Sequence, residues 1–296
     1  VVNKLSLLLI GLPLAAQVPA AVKPCDEMRR HGNPQAGACF EKLTHAADRE
    51  TQAEGYWGIG NYKIANDLFK DAVKDNPKSP MLRVRWGYLY LDHWQENDAG
   101  GLFAEALELD EKYVPALIGL AQTAADGYST RAIEFASKAL ELDPKAYQAE
   151  EVLARVALED NNEPKAAAEA KKALDVNPEA LDAMSILATI DWLNGKKDSP
   201  WLPKILKVNP YYGEAYDIAG HYFVINRRYE EGIALYRKAL DLDPHLEKAR
   251  SALGLNLMRL GREGEARAQL EQAFNAGYQS NETVNTLKLM DSYKNY

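Results

Sequence analysis

A short phrase returns along this chain about every 34 residues. It reads Asp-Asn-Pro up to Pro77, Leu-Asp-Glu to Glu111, Leu-Asp-Pro to Pro144, Val-Asn-Pro to Pro178 and again to Pro210, and Leu-Asp-Pro to Pro244. Successive steps are 34, 33, 34, 32 and 34 residues, and one further step of 34 reaches Tyr278. A fixed period in this range marks one small supersecondary unit, repeated and stacked so that neighbours bury each other's apolar faces. Each unit then contacts only its neighbours, so a length of 296 residues adds units rather than separate cores.

Within a unit the apolar pattern is helical. The unit from Ala46 to Ser79 divides at Gly60-Asn61-Tyr62, and its second half carries Ala65, Phe69 and Ala72 on one helix face. The trio returns as Ala99, Phe103, Ala106; as Ala132, Ala136, Ala139; as Ala166, Ala170, Ala173; as Gly232, Tyr236, Ala239; and as Ala266, Leu270, Ala273. First helices carry a small residue in step: Ala53, Gly87, Ala121, Ala154, Ala188, Gly220 and Gly254. Val84 to Tyr90 could alternate as a strand, but Trp86-Gly87 holds the packing position of a first helix. The Asp-Pro and Asn-Pro phrases stop the second helices, since proline biases the residue before it away from helical angles.

These residues resemble the tetratricopeptide repeat family, whose helix-turn-helix unit has small residues at its crossings, a large one between, and a proline after the second helix. The resemblance covers Ala46 to Tyr278, about seven units, and implies an all-α solenoid of stacked antiparallel helix pairs. The expected organisation is a signal peptide over 1–22, a capping helix pair over 23–45, the repeats over 46–278, and a cap or linker over 279–296. The fifth unit departs from the pattern near 194–203. There Lys196 to Pro203 replaces the usual start of a second helix, so a shortened helix from about Trp201 and a hinge at Asn194 to Pro203 are expected.

Lys4, the mainly apolar run Leu5 to Ala16, and small residues through Ala21 read as a secretory signal, too short to span a bilayer; an uncleaved amphipathic helix or a small-residue cap is the alternative. This predicts export, to a periplasmic or extracellular location, with no stable membrane span after cleavage. Cys25 and Cys39 are the two cysteines. In an exported protein they are a disulfide candidate joining helices Pro24 to Arg30 and Gln35 to Leu43; two buried free thiols are the alternative. A net charge of −8 argues against nucleic acid as a partner.

Signals for catalysis are poor. The five histidines are scattered, and no His-Glu-x-x-His, Gly-x-Ser-x-Gly or phosphate-binding glycine loop occurs. No catalytic residue, metal site or cofactor is predicted within 1–296, and the expected role is a non-enzymatic scaffold for a protein or peptide partner. The family resemblance implies a concave groove walled by first helices. Candidate groove residues by helical phase are Trp57, Tyr88, Asp92, Gln122, Arg155, Trp192 and His221, the aromatics foremost. Packing against the adjacent helix is the competing reading for Trp57, Tyr88 and Trp192. Arg155 has a competing i±4 salt bridge with Glu151 or Glu159, and His221 a plain surface position.

The stretch Thr283 to Tyr293 resembles the junction, in exported bacterial repeat proteins, to a zinc metallopeptidase domain of the peptidase-MA-like, gluzincin type. Val84 to Gly87, Glu179 to Met184 and Asn226 to Ile233 share that similarity. It implies an alternative: the chain is the N-terminal, substrate-presenting half of a secreted peptidase whose catalytic domain lies in the same polypeptide beyond Tyr296.

Overall fold

A computed structural model describes residues 18–125, 127 and 129–293. Among them are helices and no strand. The predicted signal segment lies almost entirely outside the described residues, as do the last three residues of the chain. Of the residues just before the first helix, Val18 and Val22 are buried at 7% and 0% exposure.

The chain divides into two compact units, Val1–Ile186 and Leu187–Tyr296. The first opens with a hairpin, α1 (Lys23–Arg30) and α2 (Ala36–Leu43), followed by α3 (Arg49–Gly58) with α4 (Tyr62–Asp75) and α5 (Pro80–Asp92) with α6 (Glu96–Leu109). Then come α7 (Val114–Ala125) with α8 (Ser129–Leu142) and α9 (Tyr147–Glu159) with α10 (Glu163–Val176). The boundary falls within α11 (Leu181–Leu193). The second unit continues with α12 (Trp201–Val208), α13 (Glu214–Ile225) paired with α14 (Tyr229–Leu242), α15 (Glu247–Arg259) paired with α16 (Glu263–Asn275), and the terminal α17 (Asn281–Tyr293).

The repeated small residues are where helices touch. Ala53, Ala121, Ala154 and Ala188 are wholly buried, as are Ala65, Ala99, Ala132, Ala166 and Ala266. The middle residue of a second-helix trio fills the gap left by the small residue of its partner. A Cβ on Gly87 would stand 2.6 Å from the Phe103 ring, one on Gly220 2.9 Å from Tyr236, and one on Gly254 2.7 Å from Leu270. Each is closer than real Cβ contacts come, so alanine there overpacks.

The recurring Asp or Asn has a sharper function than the proline beside it. Its side-chain Oδ1 accepts from the amide two residues on: Asp110 from Lys112, Asp143 from Lys145, Asn177 from Glu179, Asn209 from Tyr211 and Asp243 from His245, all at 2.9–3.1 Å. These Asx turns end the second helix and launch the next first helix. First helices end instead on left-handed residues: Gly60, Trp94, Asn161, Gly195, Arg227 and Gly261 have φ between 55° and 80°. Trp94 and Arg227 accept a conformation that glycine takes without strain.

The second helix of the fifth repeat, α12, has eight residues starting at Trp201 and buries Ile205 completely. At the end, α17 packs Met290 into the second unit's apolar cluster, and its buried Thr283 hydroxyl lies 2.6 Å from that of Ser251 on α15.

Candidate functional site

In the first unit three of the positions expected to face a groove, Trp57, Tyr88 and Asp92, are interior. Arg85 on α5 is 0% exposed and meets Glu54 on α3, 1% exposed. Its Nε donates to one carboxylate oxygen at 2.5 Å and its Nη2 to the other at 2.6 Å. Asp26 Oδ2 lies 3.7 Å from Arg85 Nη2, and Asp26 Oδ1 accepts from Arg29 at 2.7 Å. Trp57 sits between the two guanidinium groups, with Arg85 4.8 Å and Arg29 5.5 Å from its ring. Burial opposes the charge on Arg85, but Glu54 and Asp26 outweigh it and raise its pKa. Burial also pushes the Glu54 carboxyl up, with Arg85 pulling it down.

Trp57, Tyr88 and Asp92 are 6%, 2% and 7% exposed, so none of the three stands on an open wall as expected from sequence. Trp57 Nε1 and the Tyr62 hydroxyl both donate to Asp92 Oδ2 at 2.8 Å, and Tyr62 stacks on His93 at 3.7 Å. The cover over them is α1. Val18, Val22 and Cys25 belong to the same apolar cluster as Trp57 and Tyr88. Cys25 and Cys39 form a disulfide with Cα atoms 5.4 Å apart, joining α1 to α2.

At the far end of α1, Arg30 pairs with Glu179 in the turn before α11, and His31 Nε2 lies 3.3 Å from the same carboxylate. Burial disfavours the Glu179 charge, yet Arg30 and His31 hold its pKa below the usual range. The Tyr147 hydroxyl at the start of α9 is pushed up by burial and by Glu151, with Arg30 working the other way. Thus α1 and its C-terminal cap touch α3, α5 and the turn before α11. Glu151, 5% exposed, accepts from the Ala183 amide at 3.1 Å.

Several polar atoms of this interior have no hydrogen-bond partner: Arg85 Nη1, the Tyr88 hydroxyl, Asp26 Oδ2 and Glu50 Oε1. Burial, then the charges of Glu54 and Asp48, push Glu50 up to about 7. Gln122 and Arg155 are half-buried.

The second unit presents a different face. Trp192 is half-buried and stacks on Tyr216, ring centres 5.4 Å apart and planes within 5°. On α13, His221 is exposed, Val224 half-buried and Ile225 40% exposed. At matching positions on α15, Leu255 and Met258 are half-buried and Arg259 is exposed. His221 therefore stands at an exposed first-helix position, while Trp192 packs against the adjacent helix, on Tyr216 and the apolar cluster of Ala219, Phe223 and Leu235. Among the described residues, no group of three or more His, Cys, Asp or Glu is placed to hold a metal ion, and no helix is long and apolar enough to cross a membrane.

Residues 223–288 match a tetratricopeptide repeat family model. A curated relative, interferon-induced protein with tetratricopeptide repeats 2 of Cricetulus griseus, is 31% identical over 128 residues, 39% of this chain and 26% of its own length. The chain therefore spans about a quarter of that relative. Among solved structures, the APC/C hetero-tetramer Cut9-Hcn1 superposes with a TM-score of 0.57 at 16% identity, covering 90% of this chain and 55% of that one. A thermophilic TPR protein of Thermus thermophilus gives a TM-score of 0.43 at 17% identity, over 70% of this chain and 95% of its own. Paired helices, small-residue crossings and Asx turns at one period make this chain, by fold, an α-solenoid of the tetratricopeptide repeat type.

Proposed function

We propose that this protein is an exported, non-enzymatic scaffold, periplasmic or extracellular, that binds a peptide or protein partner on the groove wall of its first helices. The accessible part of that wall is in the second unit, around His221, Ile225 and Met258. The observation that carries the reading is the mixed surface there: Ile225 at 40% exposure and the half-buried Val224, Leu255 and Met258, beside the exposed His221 and Arg259, at matching positions of successive first helices. Aromatic and arginine side chains in such settings supply much of the energy of protein interfaces. A photo-crosslinking amino acid at 221, introduced in cells, is expected to capture a discrete protein that one at Lys171, on the second-helix side, does not. Equal capture from both positions would sink the reading. Export is tested by fusing the first 45 residues to a reporter active only outside the cytoplasm.

A second reading keeps the same array as the substrate-presenting half of a zinc metallopeptidase. Its support is the resemblance of Thr283 to Tyr293 to such a junction, together with Leu289 on α17, 48% exposed, which a following domain would cover. Reading the gene past the codon for Tyr296 tests it: a stop codon there removes the idea, and a His-Glu-x-x-His segment supports it.

A further inference from the structure

We propose that α1 is a cis-acting occupant of the first unit's groove. It holds the place of an amphipathic helix from a partner, and the Cys25–Cys39 disulfide keeps it there. The inference deepens the scaffold reading and rests on it.

Helical phase turns Glu54, Trp57, Tyr88 and Asp92 toward the groove, yet none exceeds 7% exposure. The cover is α1: Asp26 lies against Arg85, Arg29 over Trp57, and Val22 and Cys25 in the shared apolar cluster. A helix pair that merely ended the solenoid would touch its immediate neighbour alone. Instead α1 extends to Glu179 through Arg30 and His31, 149 and 148 residues away in sequence.

The fit is incomplete. Arg85 Nη1, the Tyr88 hydroxyl and Asp26 Oδ2 are enclosed without hydrogen bonds. Such groups are costly, and a better-matched helix removes the cost. A carboxylate one methylene longer than Asp26 extends farther toward Arg85. The matching partner is therefore an amphipathic helix with a small apolar residue in the place of Cys25, a glutamate in the place of Asp26, and a cation three residues on to stack over Trp57 and Phe40.

The tether is chemically accessible at one end. Cys25 is 1% exposed, whereas Cys39 is half-buried. A thiolate of a dithiol reductant attacks Cys39 Sγ, and Cys25 leaves as a thiolate and takes up a proton. The reductant's second thiol resolves the mixed disulfide. Two electrons and two protons pass to the cysteine pair, and the reductant departs as its own disulfide.

The test uses the full chain with and without dithiothreitol. Amides of Lys23–Arg30 are expected to exchange with deuterium at least ten-fold faster after reduction, with α9 and α10 unchanged. A fluorescein-labelled peptide of residues 23–31, carrying Cys25→Ser and Asp26→Glu, is expected to bind the reduced protein at least ten-fold more tightly than the oxidised one. Unchanged protection of α1, protection lost across the whole unit, or equal peptide binding would each overturn the proposal. A second variant, Arg30→Ala kept oxidised, isolates the groove contact: faster exchange in α1 with α2 unchanged supports it, and no change counts against it. Crosslinking at 221 reports on the other unit, so failure of the scaffold reading is distinguishable from failure of this one.

Discussion

Arg85 and Glu54 meet through two parallel hydrogen bonds of 2.5 and 2.6 Å, with both side chains sealed from solvent. The bidentate geometry and the flanking Trp57 ring are what make such a pair tolerable in an interior. Removing one member strands the other's charge. Arg85→Met or Glu54→Leu alone should each destabilise by about 3–5 kcal/mol, and the double substitution by less than either. Urea unfolding of the three variants checks this; additive losses would show that the two residues do not act as a pair.

Stability should fall as pH rises. Glu50 is held up to about 7 by burial and by Glu54 and Asp48, and Glu150 to about 7 by burial and its hydrogen bond with Glu169, both from 4.5. Between those values the folded state binds more protons than the unfolded one. The contribution is therefore complete below about pH 4.5 and is lost as pH rises through about 7. Thermal melts at pH 5 and pH 8 should show the drop, and Glu50→Gln should flatten it. A variant with an unaltered slope would remove Glu50 as its source.

Packing at the helix crossings gives a contrast within one residue type. Gly220→Ala pushes a methyl group to 2.9 Å from Tyr236, and Ala166→Leu or Ala239→Leu enlarges a fully buried side chain. Each should cost about 1–3 kcal/mol. Gly101→Ala meets nothing within 4 Å on α6 and should stabilise by about 0.5–1 kcal/mol. Thermal denaturation reads both signs in one experiment.

Trp57→Phe keeps an aromatic ring beside Arg85 but deletes the donor to Asp92. With a buried carboxylate losing one of its two 2.8 Å partners, the expected loss is about 1–3 kcal/mol. Tyr62→Phe should cost a similar amount, and the double variant more than either, since both donors serve the same oxygen, Asp92 Oδ2. Denaturant midpoints of the three proteins decide it.

Why was the array legible while its first groove was not? Alanine and glycine recur in step because every crossing makes the same steric demand, so one period reveals them all. The Asx turns were half legible: proline marked their position, but the side-chain bond to the amide two residues on is set by loop geometry. The cover over Trp57, Tyr88 and Asp92 depends on contacts between distant segments. Nothing local in Asp26 or Arg29 distinguishes a buried contact from a solvated charge on a short helix. The available signal was Arg85 itself, a charge beside Trp86-Gly87 at a packing position, with Glu54 next to the small residue Ala53 one repeat earlier. In the second unit helical phase led to an exposed residue at His221, while at Trp192 it could not separate a groove position from the packing on Tyr216.

The pairing of Arg30 with Glu179 also fixes a number. Repeat arrays ordinarily gain or lose units freely, since each new pair meets neighbours like those it replaces. Here the turn carrying Glu179 must come back to α1 after a set count of helix pairs. Inserting or deleting 34 residues between them would move that carboxylate by a whole step along the superhelix. An insertion of that length between Arg30 and Glu179 should therefore break the pairing.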